Sequence, residues 1–139
     1  MTGIETEVEQ LFEKQLGELL PGVPVYRLKS ASVERADRFA LVETALLKPE
    51  GPGIPLYQLQ FAIHVGTRRV GDRADPDELD LDDACERIRA NYAQPRRQYK
   101  IRDGWFIVGM VAGDPERNES DTHAVRVLQY TLFIINKEG

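Results

Sequence analysis

From residue 56 to 66 the chain alternates. Tyr57, Leu59, Phe61, Ile63 and Val65 fall on one side, and Gln58, Gln60, Ala62 and His64 on the other. Strand side chains point to opposite faces with period 2, so this is the pattern of a strand with one buried face. The run 124–135 is different. Val125, Val127, Thr131, Phe133 and Ile135 make one set, and Arg126, Leu128, Tyr130, Leu132 and Ile134 the other. Apart from Arg126 both sets are apolar or β-favouring, which predicts a strand inside a sheet and covered on both faces. Its twelve residues would span about 40 Å.

The remaining elements follow from the same reading. Ile4, Val8, Leu11, Phe12, Leu16, Leu19 and Leu20 have helical spacing. Thr2 and Glu5 stand three apart as in a capping box, and Pro21-Gly22 ends the helix. Glu5, Glu7, Glu9 and Glu13 load its N-terminal half with charge that a helix dipole favours. Residues 23–28 form a short edge piece, because Pro24 removes a backbone donor. A strand is expected over 39–47, with Phe39 and Leu41 on one face, and another over 105–112. The proline- and glycine-rich segment 48–55 reads as a loop joining two antiparallel strands. Residues 29–37, 67–75 and 113–122 read as polar loops. Asp75-Pro76 reads as the cap and first turn of a second helix, whose stripe is Leu81, Ala84, Cys85, Ile88 and Tyr92. Asp103-Gly104 is a hairpin-turn dipeptide after a basic segment, 96–102, that includes a short strand. Helix, strands, helix, strands with short connections predict one α+β domain over residues 1–139. Its core is a mainly antiparallel sheet packed by two helices.

Composition narrows the classes. A net charge of −5 argues against general nucleic-acid or anionic-membrane binding. One cysteine, Cys85, forms no internal disulfide and suits a reducing compartment. The acidic opening does not resemble a secretory signal, and no apolar run approaches the length of about 20 residues that a membrane span needs.

Candidate chemistry is sparse. Asp72, Asp75, Asp77, Glu78, Asp80, Asp82, Asp83 and Glu86 lack the spacing of a calcium loop and read as an acidic helix start. His64, His123 and Cys85 show no metal-ligand spacing, and no nucleophile motif or phosphate loop is present. The expectation is therefore no catalytic residue, no metal and no cofactor. Arg96, Arg97, Lys100 and Arg102, with Tyr92 and Tyr99, form a basic-aromatic segment that suits either phosphate contact or a protected sheet edge.

The order and lengths of these elements resemble the tail-terminator, or tail-completion, proteins of long-tailed bacteriophages and prophages, including the minor tail proteins related to the lambda tail terminator. The likeness runs through the opening helix to Leu20-Pro21-Gly22, then Val23-Pro24-Val25-Tyr26, then Phe39-Ala40-Leu41-Val42. After a variable loop it continues through the 56–66 strand, Thr67-Arg68-Arg69, the second helix and the long closing strand. The resemblance implies a non-enzymatic structural protein that forms a homohexameric ring. Its partners would be the tail-tube protein and a head–tail joining protein. It would act in the cytoplasm during assembly and in the virion tail afterwards. Such a ring needs two different complementary patches. Arg68, Arg69 and Arg73 in one loop, and Asp114, Glu116 and Glu119 in another, are the candidate assembly contacts. The alternative is a small non-enzymatic α+β domain that binds a small molecule or nucleic acid through the 96–102 segment.

Overall fold

In a computed structural model, described over residues 3–27, 37–75, 79–93, 98–119 and 122–137, two helices and nine strands follow one another. The order is α1 (Ile4–Leu19), β1 (Val25–Arg27), β2 (Arg38–Thr44), β3 (Lys48–Pro49), β4 (Leu56–Val70) and β5 (Arg73–Ala74). After these come α2 (Leu81–Tyr92), β6 (Tyr99–Arg102), β7 (Trp105–Ala112), β8 (Glu116–Glu119) and β9 (His123–Asn136). The sheet runs β1-β2-β4-β9-β7-β6, with β3 and β5 added to β4 and β8 added to β9. Every pairing is antiparallel except β1 with β2, so the chain has the expected α+β class.

The spine is the β4–β9 pair, in register from Leu56 opposite Ile135 to Arg68 opposite His123. Register decides which residues share a face. Leu59 lies opposite Leu132, Phe61 opposite Tyr130 and Ile63 opposite Leu128, and Ala40 and Val42 of β2 join them. These residues meet Ile4, Val8, Phe12 and Leu16 of α1 and Ala84, Cys85, Ile88 and Tyr92 of α2 in one core. Both helices therefore pack on the same face of the sheet. At its centre the Phe12 ring lies 4.4 Å from Phe61 and 5.3 Å from Tyr92, and Tyr92 stands edge-on to Tyr130 at 6.3 Å. Truncating a fully buried phenylalanine such as Phe12 typically costs about 3–5 kcal/mol.

The acids of α1 do more than complement a helix dipole. Glu5 Oε1 accepts the Leu47 N–H at 3.1 Å, and Glu9 Oε2 accepts the Thr44 hydroxyl at 2.6 Å. Glu13 lies 3.9 Å from Arg27, and Glu7 lies 3.2 Å from Arg102. The helix is tied to β2, β1 and β6 by these four side chains. Its N-cap is Gly3, without a side-chain hydrogen bond, and Thr2 lies outside the described residues. The expected Thr2–Glu5 capping box therefore lies outside the described residues. The second helix is capped by Asp80, whose carboxylate accepts the Asp83 N–H at 3.1 Å, rather than by Asp75.

Several expectations change. Residues 48–55 are not all loop, because Lys48 and Pro49 still pair with Gln58 and Tyr57. The 67–75 loop is instead the end of β4, a tight turn at Gly71 (φ +67°) and the short return strand β5. The 113–122 loop contains β8, paired with the start of β9. Between Ala112 and Glu116 four steps run opposite three, from Tyr130 to Val127, so β7 and β8 form one bulged track along β9. Among the described residues, helices cover one face of the closing strand. The expected loop at 29–36 lies outside the described residues, as do Arg96 and Arg97.

On the helix-free face the Phe39 ring lies directly over Gly66, where an added Cβ would come within 2.4 Å of ring carbons. Gly66→Ala should therefore force Phe39 to move and destabilise the protein by about 1–3 kcal/mol, the usual cost of overpacking. Thermal melts check this. Phe39→Leu in the Gly66→Ala background should recover part of the loss, because it removes the clashing ring atoms.

Candidate assembly surfaces

The charged stretches singled out in the sequence meet at one end of the β4–β9 ribbon. Arg68 lies directly opposite His123, and Arg69 donates its backbone N–H to the Thr122 carbonyl at 2.9 Å. Glu119 lies opposite Ala124, which lies opposite Thr67, so Glu119 and Thr67 are two strand spacings apart, about 10 Å. The arginine and carboxylate stretches thus form neighbouring parts of one end rather than remote patches. Their members also differ in availability. The Arg68 Nε donates to Asp75 Oδ2 at 3.1 Å, and the Asp75 side chain is buried. Arg69 is half-buried, whereas Arg73, Asp114 and Glu116 are exposed.

The acids between 72 and 86 are engaged one at a time. Asp75 holds Arg68, Asp80 caps α2, Asp82 meets Arg126 at 3.1 Å and Asp83 meets Arg87 at 2.9 Å. Asp77 and Glu78 lie outside the described residues. In the basic segment Lys100 contacts Asp103 at 2.7 Å, which holds that exposed carboxyl below its ordinary range. Arg102 contacts Glu7, and its guanidinium lies over the Trp105 ring at 5.9 Å.

The two histidines and the cysteine are not brought together. His64 Nε2 lies 3.0 Å from Glu43 Oε1 on the helix-free face. His123 is buried against Phe39, ring to ring at 5.7 Å, with its Nδ1 2.8 Å from the Thr122 hydroxyl. Cys85 is buried in the α2 core stripe, and burial raises its thiol pKa. Among the described residues no group of three or more histidine, cysteine or acidic side chains is placed to hold a metal ion. No described helix is long and apolar enough to cross a membrane.

What the sequence reading missed is the helix-free face itself. It carries Leu56, Gln58, Gln60, Ala62 and His64 of β4, and Val125, Val127, Gln129, Thr131, Phe133 and Ile135 of β9. Glu43 stands opposite Ala62, Lys48 opposite Gln58 and Phe106 opposite Ile135 on the same side. A shallow groove of about 320 Å³ crosses this face, lined by Glu43, Gln60, Ala62 and Gln129 among others. The signal was present: a solvated face is expected to alternate to polar, and the outward set of the closing strand does not. Arg126 was a second signal. A lone charge among core-facing residues calls for a partner, and Asp82 supplies it.

No family model matches this sequence, and no curated protein matches it.

The Cys85 geometry yields a direct check. With its thiol buried and its pKa raised, iodoacetamide at pH 8 should alkylate the folded protein at least about tenfold more slowly than the urea-unfolded chain. Mass spectrometry of the time course measures this. Equal rates would place the thiol at an accessible, reactive site.

Proposed function

We propose that this chain is a structural protein of the phage or prophage tail-terminator type, assembling as a ring that caps the tail tube and offers a surface to the head-joining protein. The observation that carries the reading is the stiff β4–β9 ribbon, thirteen residue pairs long, with charged, exposed side chains at its end. The order of helix, strands, helix and strands supports it as well. A rigid scaffold that holds polar segments in fixed positions suits repeated subunit contacts. The competing reading, a small binding domain that uses the 96–102 segment, has less support because Lys100 and Arg102 already face carboxylates.

Light scattering tests the assembly: mass corresponding to six copies fits the ring, and a monomer at every concentration rejects it. Tube length tests the role, since the purified protein should shorten tail tubes polymerised from the neighbouring tube gene's product, as measured by electron microscopy.

Within that reading, the substitutions that probe the charged end are Arg73→Glu and Glu116→Lys, because both side chains are exposed. Arg68 is a poor probe, since its loss would leave the buried Asp75 carboxylate without its guanidinium. Either single variant should shift assemblies toward smaller species, more so at low salt, where screening is weak, and the double charge exchange should recover part of the loss. Stability should stay within about 0.5 kcal/mol of the parent, as for most surface changes. Assembly identical to the parent's would remove these residues from the interface.

A further inference from the structure

We propose that the helix-free face of the sheet is a two-fold interface for a second copy of this chain, with its axis running across the strands at the Gln60–Thr131 row. This goes beyond the tail-terminator reading and does not depend on it. A ring uses heterologous contacts, whereas this contact is isologous and joins subunits in pairs.

The argument starts from register. Gln60 lies opposite Thr131, and the Thr131 hydroxyl donates to Gln60 Oε1 at 3.2 Å. Two residues toward one end, Gln58 is flanked by Lys48 and Phe133. Two residues toward the other end, Ala62 is flanked by Glu43 and Gln129. Residues two apart along a strand point to the same face, so all six positions of these two rows share the helix-free side. A two-fold axis lying in the face, across the strands at the Gln60–Thr131 row, exchanges these two rows between copies and preserves lateral position. It sets Lys48 of one copy over Glu43 of the other. It also sets the Phe133 ring over the groove beside Ala62 and Gln129. Each relation occurs twice.

The side chains suit that arrangement. Lys48 is exposed, and the Glu43 side chain is 35% exposed, so each can meet an opposite charge without first being uncovered. Gln60 is exposed, and amides both donate and accept, so the axial row can meet its own copy without repulsion. The groove of about 320 Å³ lies where the small Ala62 side chain leaves space between larger neighbours. Phe133 is a half-buried aromatic ridge on the same face. A foreign partner would need none of this internal symmetry.

The size of the contact sets its strength. Three strand rows of about nine residues give a footprint of about 400 Å² per copy, at about 4.8 Å between rows and 3.3 Å per residue. That falls in the small, transient class of interfaces, so the isolated pair forms in the micromolar range, and a larger assembly would reinforce it.

Sedimentation equilibrium on the full chain tests the proposal. The parent should show concentration-dependent association. Lys48→Glu should weaken it at least about fivefold, by bringing like charges together. The exchange Lys48→Glu with Glu43→Lys should restore it to within about threefold, because the pairing is regenerated with inverted sign. Should the exchanged variant fold poorly, Gln60→Lys, at an exposed position on the axis, should weaken association at least as strongly as Lys48→Glu. A parent that stays monomeric into the high-micromolar range overturns the proposal. So does a Lys48→Glu protein that associates like the parent, or a well-folded exchanged variant without recovery. A ring of six that persists in Lys48→Glu while pairing weakens supports both readings, and one that persists with pairing unchanged leaves the ring reading standing while removing this interface.

Discussion

Everything in this protein hangs on the register between β4 and β9. Thirteen residue pairs run from Leu56–Ile135 to Arg68–His123 without a break. Because side-chain direction alternates with each residue, slipping this pairing by one would turn Leu59, Phe61 and Ile63 away from the helices. The hydrophobic pattern therefore fixes register, and register fixes which residues become core. The aromatic contact of Phe12 with Phe61 and Tyr92 follows from it, since it needs Phe61 and Tyr130 side by side beneath both helices. The neighbours are less regular. β7 and β8 follow β9 with two register shifts, one between Ile107 and Gly109 and one between Ala112 and Glu116. Bulges, Pro115 and the exposed charges Asp114, Glu116 and Arg117 all disfavour strand addition along that edge.

Charged residues serve as ties in this fold more than as sites. The acids of α1 reach β2, β1 and β6, Asp82 reaches Arg126, and Asp75 reaches Arg68. The pairs differ in weight. Asp83–Arg87 is exposed on both sides and contributes about 0–1 kcal/mol at most. Asp75 is buried, so removing Arg68 would take a guanidinium away from a desolvated carboxylate. The arginines at the ribbon end are accordingly not equivalent. One belongs to the fold, and Arg73 is free to be used by something outside it.

Two surfaces remain for association, and they differ in kind. The ribbon end is polar and charged, suited to contacts that salt weakens. The helix-free face is amide-rich and apolar, with the His64–Glu43 contact at 3.0 Å lying within it. Contacts there depend on shape and register. A protein that assembles through both would respond to ionic strength and to face substitutions separately.

The sequence by itself determined the two helices, the four long strands and the α+β class, because these rest on local periodicity. The stripe Leu81, Ala84, Cys85, Ile88 and Tyr92 admits only a helix of that length, and the alternation from Tyr57 to Val65 admits only a strand. It also displayed the apolar outward set of β9, though not what that set faces. Tertiary structure decided the rest. Lys48–Pro49 and Glu116–Glu119 are polar, turn-like sequences that become strands because β4 and β9 offer them unpaired backbone. Asp75 has the local signature of a helix cap, yet Arg68 claims it, and Asp80 caps instead. The acids of α1 read as dipole partners until β1, β2 and β6 supplied theirs. Both helices lie on one face because each stripe is wide enough for a single contact, and the cross-strand row of Phe61 and Tyr130 receives both. The physical reason is common to all these cases. Periodicity is a property of a few consecutive residues, whereas a hydrogen-bond partner or an uncovered face depends on residues far away in the chain.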